Sequence, residues 1–302
     1  MLWLAKGLVE LGHEVTVAAL AGSQLPPGVR LLPVAQEQVS DRDLLPRLPG
    51  GLDVIHFMAP PAADTWARLP CPGLLTVHGN GKPGETFPPN TVFLSADHAR
   101  RHGREAYVHN GLDPAEYLFA PEGKGDALLF LSKTSWRVKN VRGAIALAGR
   151  AGAKLWVAGG HRPWGPRLKL TLRSGSKWLG PVGGVRKAWL LSRARALIFP
   201  VLWPEPFGLV VVEALVSGTP VLAPPIGSLP ELIDPSVGAL IPLTDENGWI
   251  QALRDTSSRR FPAEACRDWA LRKFHYLGMA RTYVRAYEQL RAGHPLAVAG
   301  SA

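Results

Sequence analysis

Apolar residues along the chain switch between two spacings. Leu4, Leu8 and Leu11 recur at helical intervals with Ala5 beside them, and Gly12 ends that helix. Short apolar runs follow at residues 15–20, 29–34, 54–58 and 73–78, the last closing on His78, and again at 91–95 and 106–109. Each reads as a strand, and helices fit between them at 62–68 and 96–102. The pattern weakens over 112–126, through Pro114, Pro121, Gly123 and Gly125. A second alternating set then begins. Strands are expected at 127–131, 154–158, 178–179, 196–199 and 220–223. Helices are expected at 138–150, 185–192 and 209–216, with a short element at 229–233 and further helices at 246–254, 263–273 and 276–290. The tail, 292–302, is expected to fray. Alternation of this kind indicates a parallel α/β architecture. The expected domains are 1–112 and 126–274, joined by a linker at 113–125. Residues 275–302 form a C-terminal helix, crossing back to the N-terminal domain, and a tail.

Composition narrows the partners. The 302 residues are 46% hydrophobic, enough for two cores of ordinary size. A net charge of +10 favours an anionic partner. The cations are scattered; the pairs Arg100-Arg101 and Arg259-Arg260 are short, and no basic stripe is interleaved with aromatics, so nucleic acid is disfavoured. The two cysteines, Cys71 and Cys266, lie outside any metal-ligand spacing, which argues against a disulfide framework and for a reducing compartment. No apolar run approaches the ~20 residues that span a bilayer. A cytoplasmic protein is expected, with contact at the inner face of the membrane left open.

Two motifs mislead. Gly79-Asn80-Gly81-Lys82-Pro83-Gly84 matches the dinucleotide fingerprint, but Pro83, Pro88 and Pro89 argue against the helix that fingerprint needs. Asp41-Arg42-Asp43 matches a metal-holding DxD, yet no apolar strand delivers it; a helix cap explains it more simply.

The chemistry gathers in residues 199–231, FPVLWPEPFGLVVVEALVSGTPVLAPPIGSLPE. A strand empties into a proline-rich loop holding Glu205. Gly208 opens a helix, with Glu213 in its second turn. Free N–H groups at a helix start form a site for phosphate. Helical side chains lean toward the N-terminus, so Glu213 reaches back toward the same place. Two carboxylates there suit the hydroxyls of a ribose and a sugar. A dipole-favoured acid with a chance partner accounts for the pair equally well.

The wider stretch resembles the nucleotide-sugar site of family 4 retaining glycosyltransferases, in which E-P-F-G-L is followed by E-A, G-T-P-V and P-E. Further likeness runs through LAKGLVELGHEVTVA (4–18), LTVHG (75–79), VHNGLD (108–113) and LFLSKTSWRVKNV (129–141). The resemblance implies the GT-B fold, two Rossmann-like domains facing a cleft. It implies a UDP-sugar or GDP-sugar donor, UDP preferred, transfer with retention, and no bound metal or other cofactor. The acceptor, whether glycan, lipid or small molecule, is not encoded. By position, Lys133 (where the family has Arg) and Lys139 face the donor diphosphate. Gly208 and Leu209, with Pro206 and Phe207 leading in, offer backbone to it; Glu213 holds the ribose and Glu205 the donor sugar. Pro181 and Val182 receive the base. His78 sits beside the transferred sugar, positioning and polarising.

Members of that family begin with a strand and a Gly-rich turn, whereas residues 1–11 match the first helix. On this reading the N-terminal domain is truncated at its start. Either translation starts upstream, or this is a shortened member that binds a nucleotide-sugar or phosphoglycan without turnover. The absent strand is central in such a sheet, so its two neighbours, 15–20 and 54–58, pair directly only if the gap closes.

Overall fold

The structure, a computed structural model, describes residues 1–35, 44–82, 84–162, 175–256 and 260–300. Asp41-Arg42-Asp43, Pro83 and Arg259 lie outside the described residues. The chain divides into unit 1, Met1–Leu112 with Lys273–Ala302, and unit 2, Asp113–Arg272.

Unit 1 opens with α1 (Leu2–Glu10), then β1 (Val15–Leu20) and β2 (Val29–Val34). It continues through β3 (Ile55–Phe57), α2 (Ala63–Trp66), β4 (Gly73–Thr76), β5 (Thr91–Val92) and α3 (Ala96–Arg101). All its strand pairs are parallel, but the sheet is in two pieces: β1 pairs β2, and β3-β4-β5 stand together. Among the described residues β1 and β3 do not pair, so the direct pairing expected of a closed gap is not formed. Helix α1 packs against both pieces. Its Leu4 and Leu8 share a core with Leu74, Val92 and Val108, with Val15 and Val54 packed against it.

The C-terminal helix, Tyr276–Arg291, completes that core with Met279, Ala280, Tyr283, Ala286 and Leu290. It also joins a half-buried polar chain. His56 Nδ1 and the Tyr287 hydroxyl are 2.8 Å apart, His56 Nε2 and Thr76 Oγ1 2.8 Å, and Thr76 Oγ1 and the Tyr283 hydroxyl 2.9 Å. Burial pushes the His56 imidazole down to about 3.

Three expectations change in this unit. The strand at 106–109 shrinks to a single bridge, Tyr107 to Phe93. No helix opens among the described residues of 79–90, which removes the dinucleotide reading. The tail is not frayed at 297–298. Val298 is buried in the core, its carbonyl accepts from the Tyr107 N–H at 3.0 Å, and the Ala297 N–H donates to Gln289 Oε1 at 2.9 Å. An apolar side chain with a place in the core outweighs the entropy that frays a terminus.

Unit 2 holds β6 (Leu128–Leu131), α4 (Val141–Ala151), β7 (Leu155–Ala158), β8 (Ser176–Gly180), α5 (Gly184–Arg193) and β9 (Leu197–Ile198). It continues with α6 (Leu209–Val216), β10 (Val221–Ala223), α7 (Leu229–Leu232), β11 (Gly238–Leu240), α8 (Glu246–Arg254) and α9 (Ala263–Phe274). The six strands form one parallel sheet, ordered β11-β10-β9-β6-β7-β8. β6 is buried along its whole length, as apolar strands covered on both faces are. Strand order reverses between β6 and β9. The loops leaving those two strands diverge to opposite faces, and a crevice opens between them at the strands' C-terminal ends. β11 has no expected counterpart in the sequence.

Candidate functional site

The crevice of unit 2 is built from the loops that leave β6 and β9. After β6 the chain runs through Lys133 to a 3-10 turn at Arg137–Lys139, then to Asn140. Among the described residues Asn140 alone, glycines aside, has positive φ, at 58°. Asparagine tolerates this conformation because its short polar side chain bonds locally. Its Oδ1 caps α4 by accepting from the Gly143 N–H at 3.1 Å, and its Nδ2 donates to the Pro200 carbonyl at 2.9 Å. The Leu202 N–H donates to the Val138 carbonyl at 2.8 Å. One residue therefore starts a helix and ties the lysine loop to the acid loop.

The acid loop delivers Glu205, which is 8% exposed. Lys139 donates to both of its oxygens, at 2.9 and 2.7 Å, and the Trp203 indole N–H donates to Oε2 at 2.7 Å. The Lys139 ammonium also lies 5.0 Å over the Trp203 ring. Expected to meet phosphate and sugar separately, Lys139 and Glu205 hold each other. The loop is braced from behind by residues 227–228. The Ser228 N–H donates to the Glu205 carbonyl at 3.0 Å, and the Ser228 hydroxyl donates to the Phe207 carbonyl. A side chain at Gly227 would collide with the Glu205 backbone. Pro206 and Phe207 are buried within this support.

Gly208 starts α6 in the left-handed region, φ 88°, where a Cβ costs about 1–2 kcal/mol. No side chain caps this helix start and no acid sits in its first turn. One turn further in, Glu213 is 5% exposed. Its Oε1 accepts from the Lys187 ammonium at 2.6 Å and from the Tyr117 hydroxyl at 2.8 Å. Burial, then the neighbouring Glu213 charge, raises the Tyr117 phenol far above its ordinary range, so it stays a donor.

These groups line one cavity of about 340 Å³: Lys133, Lys139, Lys187, Glu205, Gly208, Leu209 and Glu213. Lys133 is exposed at its rim, its ammonium 4.8 Å over the Trp136 ring. Of the expected residues, Pro206 and Phe207 and, after β8, Pro181 and Val182 do not line the cavity. His78 belongs to unit 1 and is exposed just beyond β4. Desolvation lowers its imidazole below the ordinary 6.5, a shift that water tempers at an exposed ring. Among the described residues no three His, Cys, Asp or Glu side chains are grouped to hold a metal, and no helix is long and apolar enough to cross a membrane.

The sequence reading missed Lys187, Tyr117 and Trp203. Trp203 stands two residues before Glu205, and that closeness is a usable signal. Lys187 and Tyr117 lie 26 and 96 residues from Glu213, with no local pattern to join them.

The arrangement invites comparison with known proteins. The sequence model of the family described as Glycosyl transferases group 1 matches residues 127–258, the segment that carries the cavity. Glycogen synthase of Mycobacterium tuberculosis is 29% identical over 204 residues, 62% of this chain and 49% of that protein. The chain spans at most about half the length of the curated relatives it matches. The crystal structure of AviGT4, a glycosyltransferase involved in avilamycin A biosynthesis, superposes with a TM-score of 0.78 at 30% identity, over 96% of this chain and 88% of that one. The Anabaena protein HepE, in complex with UDP and glucose, shares the fold at a TM-score of 0.71 and 17% identity, over 95% of each chain. A relative matched over nearly its whole length and a family model matched over the cavity-bearing unit agree: the chain belongs to the group 1 glycosyl transferases, on the GT-B fold.

Proposed function

We propose that this protein transfers a sugar from a nucleotide-sugar, UDP-sugar preferred, to an acceptor hydroxyl with retention of configuration. The observation that carries the reading is the one cavity in which three lysines, two buried carboxylates and an uncapped helix start converge at the switch point of a parallel sheet. Each part answers to a part of such a donor. The N–H groups of Gly208 and Leu209 suit a diphosphate, and Lys133 and Lys139 supply fixed positive charge where the leaving group becomes more negative. Lys133 carries charge without the bidentate fork of arginine, so it holds phosphate as a point charge.

Glu213 takes a ribose hydroxyl, and Glu205, oriented by Lys139 and Trp203, takes a hydroxyl of the donor sugar. Retention follows from front-face attack. The acceptor oxygen bonds to the anomeric carbon as the bond to the phosphate oxygen breaks, and that oxygen collects the acceptor proton. No bound metal is needed, because the lysines and the helix start take the leaving charge. His78, Pro181 and Val182 keep the roles implied by the resemblance: His78 polarises beside the transferred sugar, and the loop after β8 receives the base. The UDP bound by HepE belongs to a protein that shares only the fold; UDP for this chain rests on the resemblance.

The test is donor hydrolysis and transfer with UDP-glucose and related donors. Lys139→Ala and Glu205→Ala should each lower turnover about 10²–10³-fold or more. Unchanged turnover in both would remove the site assignment. A second reading is a protein that binds donor without turnover, and the break between β1 and β3 in unit 1 favours it. Thermal stabilisation by UDP-sugars with neither hydrolysis nor transfer would select it.

A further inference from the structure

Lys187 has no role in the reading above. It sits in the first turn of α5 and lines the donor cavity. Its side chain is 29% exposed, while that of Glu213 is 7% exposed. Both bonds to Glu213, from Lys187 and Tyr117, fall on Oε1. A carboxylate oxygen has two lone pairs, so Oε1 is filled. Among the described residues Oε2 accepts no hydrogen bond. A carboxylate that grips vicinal hydroxyls with both oxygens is therefore not on offer. Lys187 carries three N–H donors and spends one here. A hydroxyl accepts as well as donates.

Resting on the nucleotide-sugar reading, we propose that Lys187 and Glu213 read the ribose together: one hydroxyl donates to Glu213 Oε2, and its neighbour accepts from the Lys187 ammonium. Lys187 then has two effects. It neutralises a buried carboxylate that would otherwise repel the donor diphosphate, and it makes recognition depend on a specific ribose hydroxyl. Tyr117 is the positioning residue that keeps Oε1 occupied and turns Oε2 to the cavity.

Calorimetric titration of the 302-residue chain with UDP, 2′-deoxy-UDP and 3′-deoxy-UDP tests this, alongside the guanosine counterparts. The wild type should bind both deoxy analogues about tenfold or more weakly, one for each hydroxyl. Lys187→Met should erase the discrimination at one hydroxyl and keep it at the other, and Lys187→Arg should restore most of it. Where Lys187→Met fails to melt cooperatively, the Glu213→Gln background leaves no buried charge unpaired; there, adding Lys187→Met should erase the same single discrimination. Equal weakening of all three nucleotides by Lys187→Met overturns the proposal, because Lys187 then acts as a charge neutraliser or a phosphate contact. Unchanged discrimination at both hydroxyls overturns it too. A wild type that binds none of the nucleotides removes the nucleotide-sugar reading itself, an outcome distinct from lost discrimination.

Discussion

The two units use the same alphabet of strands and helices and end with different sheets. Unit 2 has six strands in one parallel run, and its site sits where strand order reverses. Unit 1 has a two-stranded and a three-stranded piece, held by α1, the C-terminal helix and a half-buried polar chain. Hydrogen bonds across neighbouring strands organise the first. Side-chain packing against helices organises the second. A continuous sheet fixes where its loops start, so a site built on those loops inherits its precision. A divided sheet relies on contacts that titrate and that depend on distant chain segments.

The sharpest way to break this contrast is to empty the core of unit 2. Trp249, fully buried in α8, packs in the cluster that holds Leu128, Phe130 and Ile198. Trp249→Ala should cost about 3–5 kcal/mol. Hydrogen exchange read peptide by peptide should show β6, β7 and β9 losing protection; if those strands keep it, the continuous sheet is not what stabilises the unit.

Acid tests unit 1 next. His56 is half-buried and His98 buried, and desolvation lowers their imidazoles to about 3 and about 4 from the ordinary 6.5. His98 Nδ1 accepts from the Leu94 N–H, so Nε2 carries the proton and donates to the Gly79 carbonyl at 3.0 Å. Both rings are neutral in the fold. Below pH 6.5 the unfolded chain binds protons that the fold refuses, so stability falls as pH drops toward those lowered values. The slope is at most about 1.4 kcal/mol per pH unit for each histidine. Urea midpoints at pH 7 and pH 5 check it, and His56→Gln should flatten the dependence.

How much of this was legible in the sequence follows the same divide. Strands such as LLFL at 128–131 announce themselves, because burial on both faces demands a continuous apolar run. β11 did not: Gly238-Ala239-Leu240 is three residues long, only its first is fully buried, and it sits at the sheet edge. Glu205, Gly208 and Glu213 were readable because one loop and one helix carry all three. Lys187 and Tyr117 were not, since nothing local ties them to Glu213. The docking of Val298 was hidden for a similar reason, as its carbonyl meets the Tyr107 N–H, far away in sequence.

Asn140 offers a smaller and sharper test of how the site is held. Asn140→Ala loses the helix cap, the bond to Pro200 and the tolerance of positive φ, about 2 kcal/mol together. Asn140→Gly should recover the part owed to backbone conformation alone. Denaturant midpoints for the pair separate capping from strain, and equal midpoints would show that φ at 140 carries no cost. The smallest effect is expected at the exposed pair Arg30–Glu14, 3.9 Å apart on unit 1. Removing it should leave the melting temperature unchanged, as solvent and salt screen such pairs.

The core of unit 1 has a consequence for how the protein is made. Its members run from Leu4 to Val298, so the ribosome must deliver nearly the whole chain before that core can close. Unit 2 is encoded as one stretch, Asp113–Arg272, and all of its residues are available earlier. During synthesis the middle of the chain folds first, and the beginning waits, its apolar helix exposed, for the end. At about 5–20 residues per second, the wait from Leu112 to Val298 lasts on the order of ten seconds or more. For that interval Leu4 and Leu8 are open to chaperones, and a stop codon anywhere before the final helix strands them.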